Sequence, residues 1–362
     1  MIYSFLLILI TAFCIAYFLI PSIIKIADHQ ELFDIAGGRK QHKVPVPALG
    51  GIAIFIGFYI SSILFTDINF QSEFRYSIIA TLLIVLVGLK DDLVGVSAYH
   101  KLFFQILIGS LLCYSGLYFK TDISWIKLSQ FHFGVNYLLT IGFMVLLMNA
   151  YNLIDGVDGL AGSLGVLGST TFAILFWIQG NMNWSLVSFA ITGSMLAFLR
   201  FNIHSAKIFM GDTGSMFLGL MIGIFSVQYL NGGQFTANTI LPFLMVTSII
   251  IIPVFDLLRV FIQRILNGKS PFFADRTHIH HVLQQAGLNS IKTCACLISL
   301  NMIIMIVSIH FLKDTSLLVA VFLILAIMFS FSYISSNLVS IKKKNVQKTP
   351  SLPLQEMTNN QN

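Results

Sequence analysis

Again and again this 362-residue chain runs apolar for about as long as a helix needs to cross a bilayer, roughly 20 residues. Such runs fall at 2–24, 49–65, 76–89, 102–119, 135–151, 160–178, 184–199, 215–230, 239–258, 293–312 and 315–337, mostly joined by short connections. In hydrocarbon every backbone N–H and C=O must be satisfied inside the crossing segment, which makes these runs helices. The expected fold class is all-α: a polytopic integral membrane protein with about 11 transmembrane helices. One transmembrane domain is expected over 1–340, followed by a basic, polar, disordered tail over 341–362. Only 10% of residues are charged, where a soluble domain carries about a quarter, so a soluble globule, a disordered chain and a disulfide scaffold are all excluded. Cys14, Cys113, Cys294 and Cys296 lie in apolar runs without C-x-x-C spacing and read as small buried hydrophobes. The first basic residue is Lys25, so residues 2–24 read as a retained span rather than a signal peptide.

Positive charge sets the expected orientation. Of the 21 lysines and arginines, 17 fall on the odd-numbered connections and the tail. That bias puts the N-terminus outside and the C-terminus in the cytoplasm. The net charge of +6 follows from the same bias and from attraction to anionic lipid headgroups, with no nucleic acid required. Most acids fall on the same inner side, among them Asp28, Glu31, Asp34, Asp256 and Asp275, which the positive bias does not explain.

Four inner constellations stand out against this apolar background. Asp91 and Asp92 end the third span; adjacent carboxylates repel and gain most from a shared cation, although a solvated turn with an acidic cap would look similar. Lys101 follows at the start of the fourth span, where it could snorkel or meet an anion. Asn149, Asn152, Asp155 and Asp158 succeed one another at three-residue steps, more oxygen-bearing groups than helix capping needs. Gly211-Asp212-Thr213-Gly214-Ser215 precedes the eighth span, where backbone N–H groups could meet phosphate while Asp212 holds a hard metal. The longest inner loop carries Arg276, His278, His280 and His281 on a short helix that Thr277 or Asp275 caps and Gly287 closes, with His278 and His281 sharing a face. No H-E-x-x-H pattern or nearby cysteine supports zinc. Oxygen ligands for Mg²⁺ or Mn²⁺, bases for phosphate and a membrane wall for a lipid together point to metal-dependent phosphoryl transfer at the membrane face. A cation- or proton-coupled transporter is the rival class, but such sites lie near the midplane on broken helices.

The runs D-D-L-V-G at 91–95, N-A-Y-N-L-I-D-G-V-D-G-L-A at 149–161, F-M-G-D-T-G-S at 209–215 and D-R-T-H-I-H-H at 275–281 resemble the polyprenyl-phosphate N-acetylhexosamine-1-phosphate transferases, of the glycosyltransferase family 4 type. The loop Asp34–Gly51 is similar to that family's first inner loop. The resemblance implies a multi-pass protein of the bacterial cytoplasmic membrane with its site facing the cytoplasm. Its reaction would move N-acetylglucosamine 1-phosphate from UDP-N-acetylglucosamine to undecaprenyl phosphate and release UMP, initiating a lipid-linked surface glycan such as O-antigen lipopolysaccharide. N-acetylgalactosamine, a 6-deoxy sugar or muramoyl-pentapeptide are the alternative donors; Ile279 interrupts the adjacent histidines usual in the pentapeptide branch. By the same resemblance Asp212 and Asn152 would hold Mg²⁺ or Mn²⁺, and Asp91 and Asp92 would deprotonate or orient the lipid phosphate. Lys101, Arg276, His278, His280 and His281 would neutralise the diphosphate. Phe209 would stack on uracil near Asp158, and Asn149 and Asp155 would support the metal. Relatives often form homodimers.

Overall fold

The computed structural model describes residues 2–32, 46–120, 132–232, 240–270 and 277–348. Among them every regular element is a helix: α1 (Ile2–His29), α2 (Gly50–Phe65), α3 (Ile68–Val94), α4 (Ala98–Tyr114), α5 (His132–Ile154), α6 (Leu160–Ile178), α7 (Met182–Asn202), α8 (Gly211–Gly232), α9 (Leu241–Leu266), α10 (Ile279–Ala286), α11 (Ser290–Val307) and α12 (Leu317–Lys348). A π-helical turn, Ser308–Leu312, prolongs α11.

The bundle is built around α8, which is buried without a break from Thr213 to Val227 and packs against α2, α3, α5, α6 and α9. A helix apolar on all sides belongs in such a place. Small residues let its neighbours come close, as in membrane helix packing generally. A Cβ on Gly219 would stand 2.5 Å from the Leu147 carbonyl of α5, and one on Gly193 of α7 would stand 2.3 Å from the Leu9 carbonyl of α1. An aromatic knot of Phe70, Phe74, Phe176 and Phe225 around Trp184 ties α3, α6, α7 and α8 together. At the rim, α1 and α12 turn Tyr3, Leu7, Phe18, Phe322, Phe329 and Tyr333 outward, apolar side chains suited to lipid.

Among the described residues, eight helices are long and apolar enough to cross a membrane: α1, α5, α6, α7, α8, α9, α11 with its π turn, and α12. The three other runs expected to cross correspond to α2, α3 and α4. Of these, α2 has 16 residues and α4 has 17, while α3 carries Glu73, Arg75, Lys90, Asp91 and Asp92. Helix α12 continues to Lys348, so the start of the segment expected to be a disordered tail is helical, and the remainder lies outside the described residues. The short loop helix, α10, forms as expected and ends at Gly287 with φ +111°, but its cap position falls to His278.

Candidate active site

Gly95, at φ +78°, terminates α3 just past its acid pair. Adjacent helix residues point about 100° apart, and Asp91 and Asp92 accordingly find different partners. Asp92 turns to the start of α8: its Oδ1 accepts from the Asp212 N–H at 2.8 Å, and its Oδ2 accepts from the Thr213 N–H at 3.0 Å and the Thr213 hydroxyl at 2.6 Å. The acid therefore caps α8 from another helix, occupying the orphan donors of a helix N-terminus. Those two N–H groups, expected to face phosphate, are thus already engaged.

The junction needs glycine. Gly211 has φ +71°, and a Cβ there would lie 2.6 Å from the Asp92 carboxylate and 2.2 Å from the Ala48 carbonyl. Gly51, at the start of α2, meets the Gly214 backbone, and Gly88 of α3 meets Thr213, with no room for a Cβ at either. Phe209 is half-buried and clasps the start of α2: its N–H donates to the Pro47 carbonyl at 2.8 Å and its carbonyl accepts from Gly50 at 2.9 Å.

Asp91 turns instead to Lys101, from the first turn of α4. The Lys101 ammonium joins Asp91 to Asp212, reaching the latter at 2.6 Å. The Asp91 and Asp212 carboxyl groups are also hydrogen-bonded to each other, and Asn152 of α5 reaches Asp212 as well. The Asn152 amide donates to Ser215 Oγ at 3.1 Å, and Asn149, one turn earlier, donates to Gln105 Oε1 of α4 at 2.8 Å. Asp155 is half-buried in the turn after α5, while Asp158 Oδ2 accepts from the Ala206 N–H at 3.4 Å, which ties that loop to the turn after α7. Asp91, Lys101, Asp212 and Asn152 thus come together, with Asp92 and Asn149 holding the helices that carry them.

Protonation in this cluster follows from burial and neighbours. Burial, reinforced by the hydrogen bond to Asp212, pushes Asp91 up to about 6 against the pull of Lys101. Burial likewise pushes Asp92 up to about 6, against the lowering effect of its hydrogen bonds from Thr213. For Lys101, burial acts downward, but Asp212 and Asp91 outweigh it and hold the ammonium above the ordinary lysine value.

The histidines form a second group. His278 Nδ1 lies 2.9 Å from Asp256 Oδ2 of α9. Helical spacing puts only His278 and His281 on one face, but His280 joins them from the core: it is fully buried, its ring stacked on His278 and 4.3 Å from that of His281. A Cβ on Gly156 would stand 2.7 Å from its Nε2, so His280 supports the loop carrying Asp155 and Asp158. Burial drives its value down to about 3, and the ring stays neutral. The half-buried His281 completes the triplet, and Arg276 lies outside the described residues.

Among the described residues no group of three or more His, Cys, Asp or Glu is arranged to hold a metal ion by protein ligands alone. The donor set nevertheless suits Mg²⁺, which is commonly held by one or two carboxylates together with substrate phosphates. Asp212 and Asp91 offer hard carboxylate oxygens beside the Asn152 amide, and a cationic group, the Lys101 ammonium, already lies between the two acids. Gln105, Asp256 and Arg259 join these networks without having stood out as site residues in the sequence. Gln105 and Asp256 are single polar residues inside apolar runs, a signal of their own in a chain so poor in charge.

Residues 74–230 match the family model described as glycosyl transferase family 4. Over 307 residues the chain is 33% identical to a Bacillus subtilis protein named "Probable undecaprenyl-phosphate N-acetylglucosaminyl 1-phosphate transferase", covering 84% of each chain. It is 32% identical to the "Decaprenyl-phosphate N-acetylglucosaminephosphotransferase" of Mycobacterium leprae, over 77% of this chain and 76% of that one. With the "Undecaprenyl-phosphate alpha-N-acetylglucosaminyl 1-phosphate transferase" of Escherichia coli K12 it shares 29% identity over 74% of this chain and 72% of that protein.

Proposed function

This chain belongs to glycosyl transferase family 4, and on that footing we propose that it transfers N-acetylglucosamine 1-phosphate from UDP-N-acetylglucosamine to undecaprenyl phosphate, releasing UMP. The observation that carries the reading is the Asp91–Lys101–Asp212 cluster, partly open to solvent beside Asn152. Phosphoryl transfer asks a protein mainly for positioning and charge neutralisation, and this cluster supplies both.

In the proposed reaction an oxygen of the lipid phosphate attacks the β-phosphorus of the sugar nucleotide. A new P–O bond forms there, the bond to the α-phosphate oxygen breaks, and UMP leaves with that oxygen. The second pKa of a phosphate monoester is about 6, so the nucleophile is already largely ionised at pH 7. Asp91, near 6 itself, is matched to accept the remaining proton. Lys101 exchanges its carboxylate partners for phosphate oxygens, while Asp92 holds Asp212 in place through the cap on α8. Asp212 and Asn152 would hold a Mg²⁺ or Mn²⁺ ion, whose charge offsets that of the diphosphate. The charge bias of the loops supports placing this site at the cytoplasmic face of a bacterial inner membrane, with the N-terminus outside.

Purified protein in detergent, given undecaprenyl phosphate, Mg²⁺ and a panel of UDP-sugars, should release UMP fastest with UDP-N-acetylglucosamine and only when lipid phosphate and metal are both present. A faster rate with another UDP-sugar would reassign the donor, and no UMP from folded protein would overturn the reaction.

A further inference from the structure

Asp256 has no part in the chemistry just described, yet both of its oxygens are engaged deep in the bundle. It sits in the apolar run I-I-P-V-F-D-L-L-R of α9, three residues past Pro253, and is 1% exposed. An unpaired carboxylate there would be very costly, and both of its oxygens are occupied. Oδ1 accepts from Arg259 Nη2 at 2.9 Å and from the Ile279 N–H at 2.8 Å, while Oδ2 lies 2.9 Å from His278 Nδ1. Arg259 Nη2 also donates to the Thr277 carbonyl at 2.6 Å, so the strand of chain leading into α10 is tied at three successive residues.

Two consequences follow from the chemistry of these groups. Paired with Arg259, the carboxylate can only accept, so the hydrogen on the shared line belongs to His278 Nδ1, and Nε2 is the nitrogen left for another partner. The network also reaches the first site. His280 Nδ1 lies 4.0 Å from Asp256 Oδ2, neither of its ring nitrogens is hydrogen-bonded among the described residues, and its far edge rests on Gly156. A shift of Asp256 therefore moves both the histidine helix and the loop of Asp155 and Asp158.

We infer that Asp256 is a positioning residue for the sugar nucleotide: it fixes His278 in the Nδ1–H tautomer and locks the start of α10, so that Nε2 of His278 meets the donor substrate. The inference rests on the reaction proposed above, and its test separates the two. Full-length protein labelled with ¹⁵N-histidine is examined at alkaline pH without substrate, the His278 ring being assigned by its loss in His278→Gln. Steady-state UMP release is then measured for wild type, Asp256→Asn, His278→Gln and the double variant.

The expected wild-type ring carries its hydrogen on Nδ1. Asp256→Asn offers an amide N–H to Nδ1 and should move the hydrogen to Nε2, the same logic by which a carboxylate-to-amide change imposes the wrong tautomer in a catalytic triad. The KM for the UDP-sugar should then rise at least ~10-fold while that for undecaprenyl phosphate stays within ~2-fold, and adding Asp256→Asn to His278→Gln should cost less than ~2-fold more. An Nε2–H ring in wild type overturns the inference, as does an Asp256→Asn defect that persists undiminished in the His278→Gln background. Should Asp256→Asn not fold, the wild-type tautomer and the KM of His278→Gln decide: an unchanged KM for the UDP-sugar in His278→Gln overturns the inference. Absence of UMP from wild type overturns the reaction instead.

Discussion

Where α3, α4 and α8 meet, the side chains of Asp91, Lys101 and Asp212 are between 12% and 25% exposed, whereas those of Asp256, Arg259 and His278 keep between 2% and 7%. Both groups pair acids with cations, yet energetically they are different objects. The Lys101 pairs keep some contact with water, which screens them and lowers the cost of parting, so Lys101 can leave its carboxylates when phosphate oxygens arrive to replace them. A buried pair that loses one partner leaves an uncompensated charge, at about 3–5 kcal/mol, and so behaves as a fixed strut. The open group is suited to exchange, and Asp256 and Arg259 of the closed one to holding His278 and the start of α10 in shape.

The sharpest way to break this contrast is to remove the acid from each group. Asp212→Ala should lower kcat by on the order of 10³, the loss typical of a group that stabilises developing charge, while the melting temperature changes little. Asp256→Ala should do the reverse first, destabilising the fold by about 3–5 kcal/mol in thermal unfolding in detergent. If Asp212→Ala unfolded the protein and Asp256→Ala merely slowed it, the two groups would have to trade roles.

Smaller effects would sharpen it. Asp91→Asn should cost less kcat than Asp212→Ala, because a lipid phosphate is mostly ionised at neutral pH without help. In wild type, kcat/KM should fall as pH drops through about 6, because the proton-accepting form of Asp91 is lost there. Lys101 lowers the Asp91 value, so Lys101→Met should move that acid limb to higher pH. The smallest effect is on stability. Asp91 and Asp92 are both raised to about 6 in the folded protein, so ionising them works against folding. Their contribution is complete below the ordinary carboxylate range and is lost as pH rises through about 6. Asp92→Asn, which keeps an acceptor for the α8 cap, should flatten that slope in melts taken across pH.

The contrast also explains which parts of the molecule were legible in the sequence. In a chain with 10% charged residues, runs such as Asp91-Asp92 and Asn149 to Asp158 stood out, and from them Asp91 and Asn152 meet at Asp212. Helices were legible as apolar runs, but run length alone did not separate α2, α3 and α4 from the eight helices long and apolar enough to cross. The occupation of Asp92 was hidden because a cap supplied by another helix leaves no local pattern: its donors lie on Asp212 and Thr213. The inward turn of His280 was hidden for a related reason. Helical spacing gives relative directions around α10 but not which face meets the bundle, and that was set by the anchor at Asp256.

The cap on α8 also has a timetable. Asp92 and the Asp212 N–H that it accepts are 120 residues apart, and at a synthesis rate of about 5–20 residues per second the second follows the first by roughly 6–24 s. Lys101 comes only ten residues after Asp91. The nascent chain therefore carries its acid pair through that interval with the lysine as early company, and the arrival of Gly211 to Ser215 both closes the helix end and completes the cluster. A chain stalled before Gly211 would hold two carboxylates and an ammonium but nothing to cap, and would have no site.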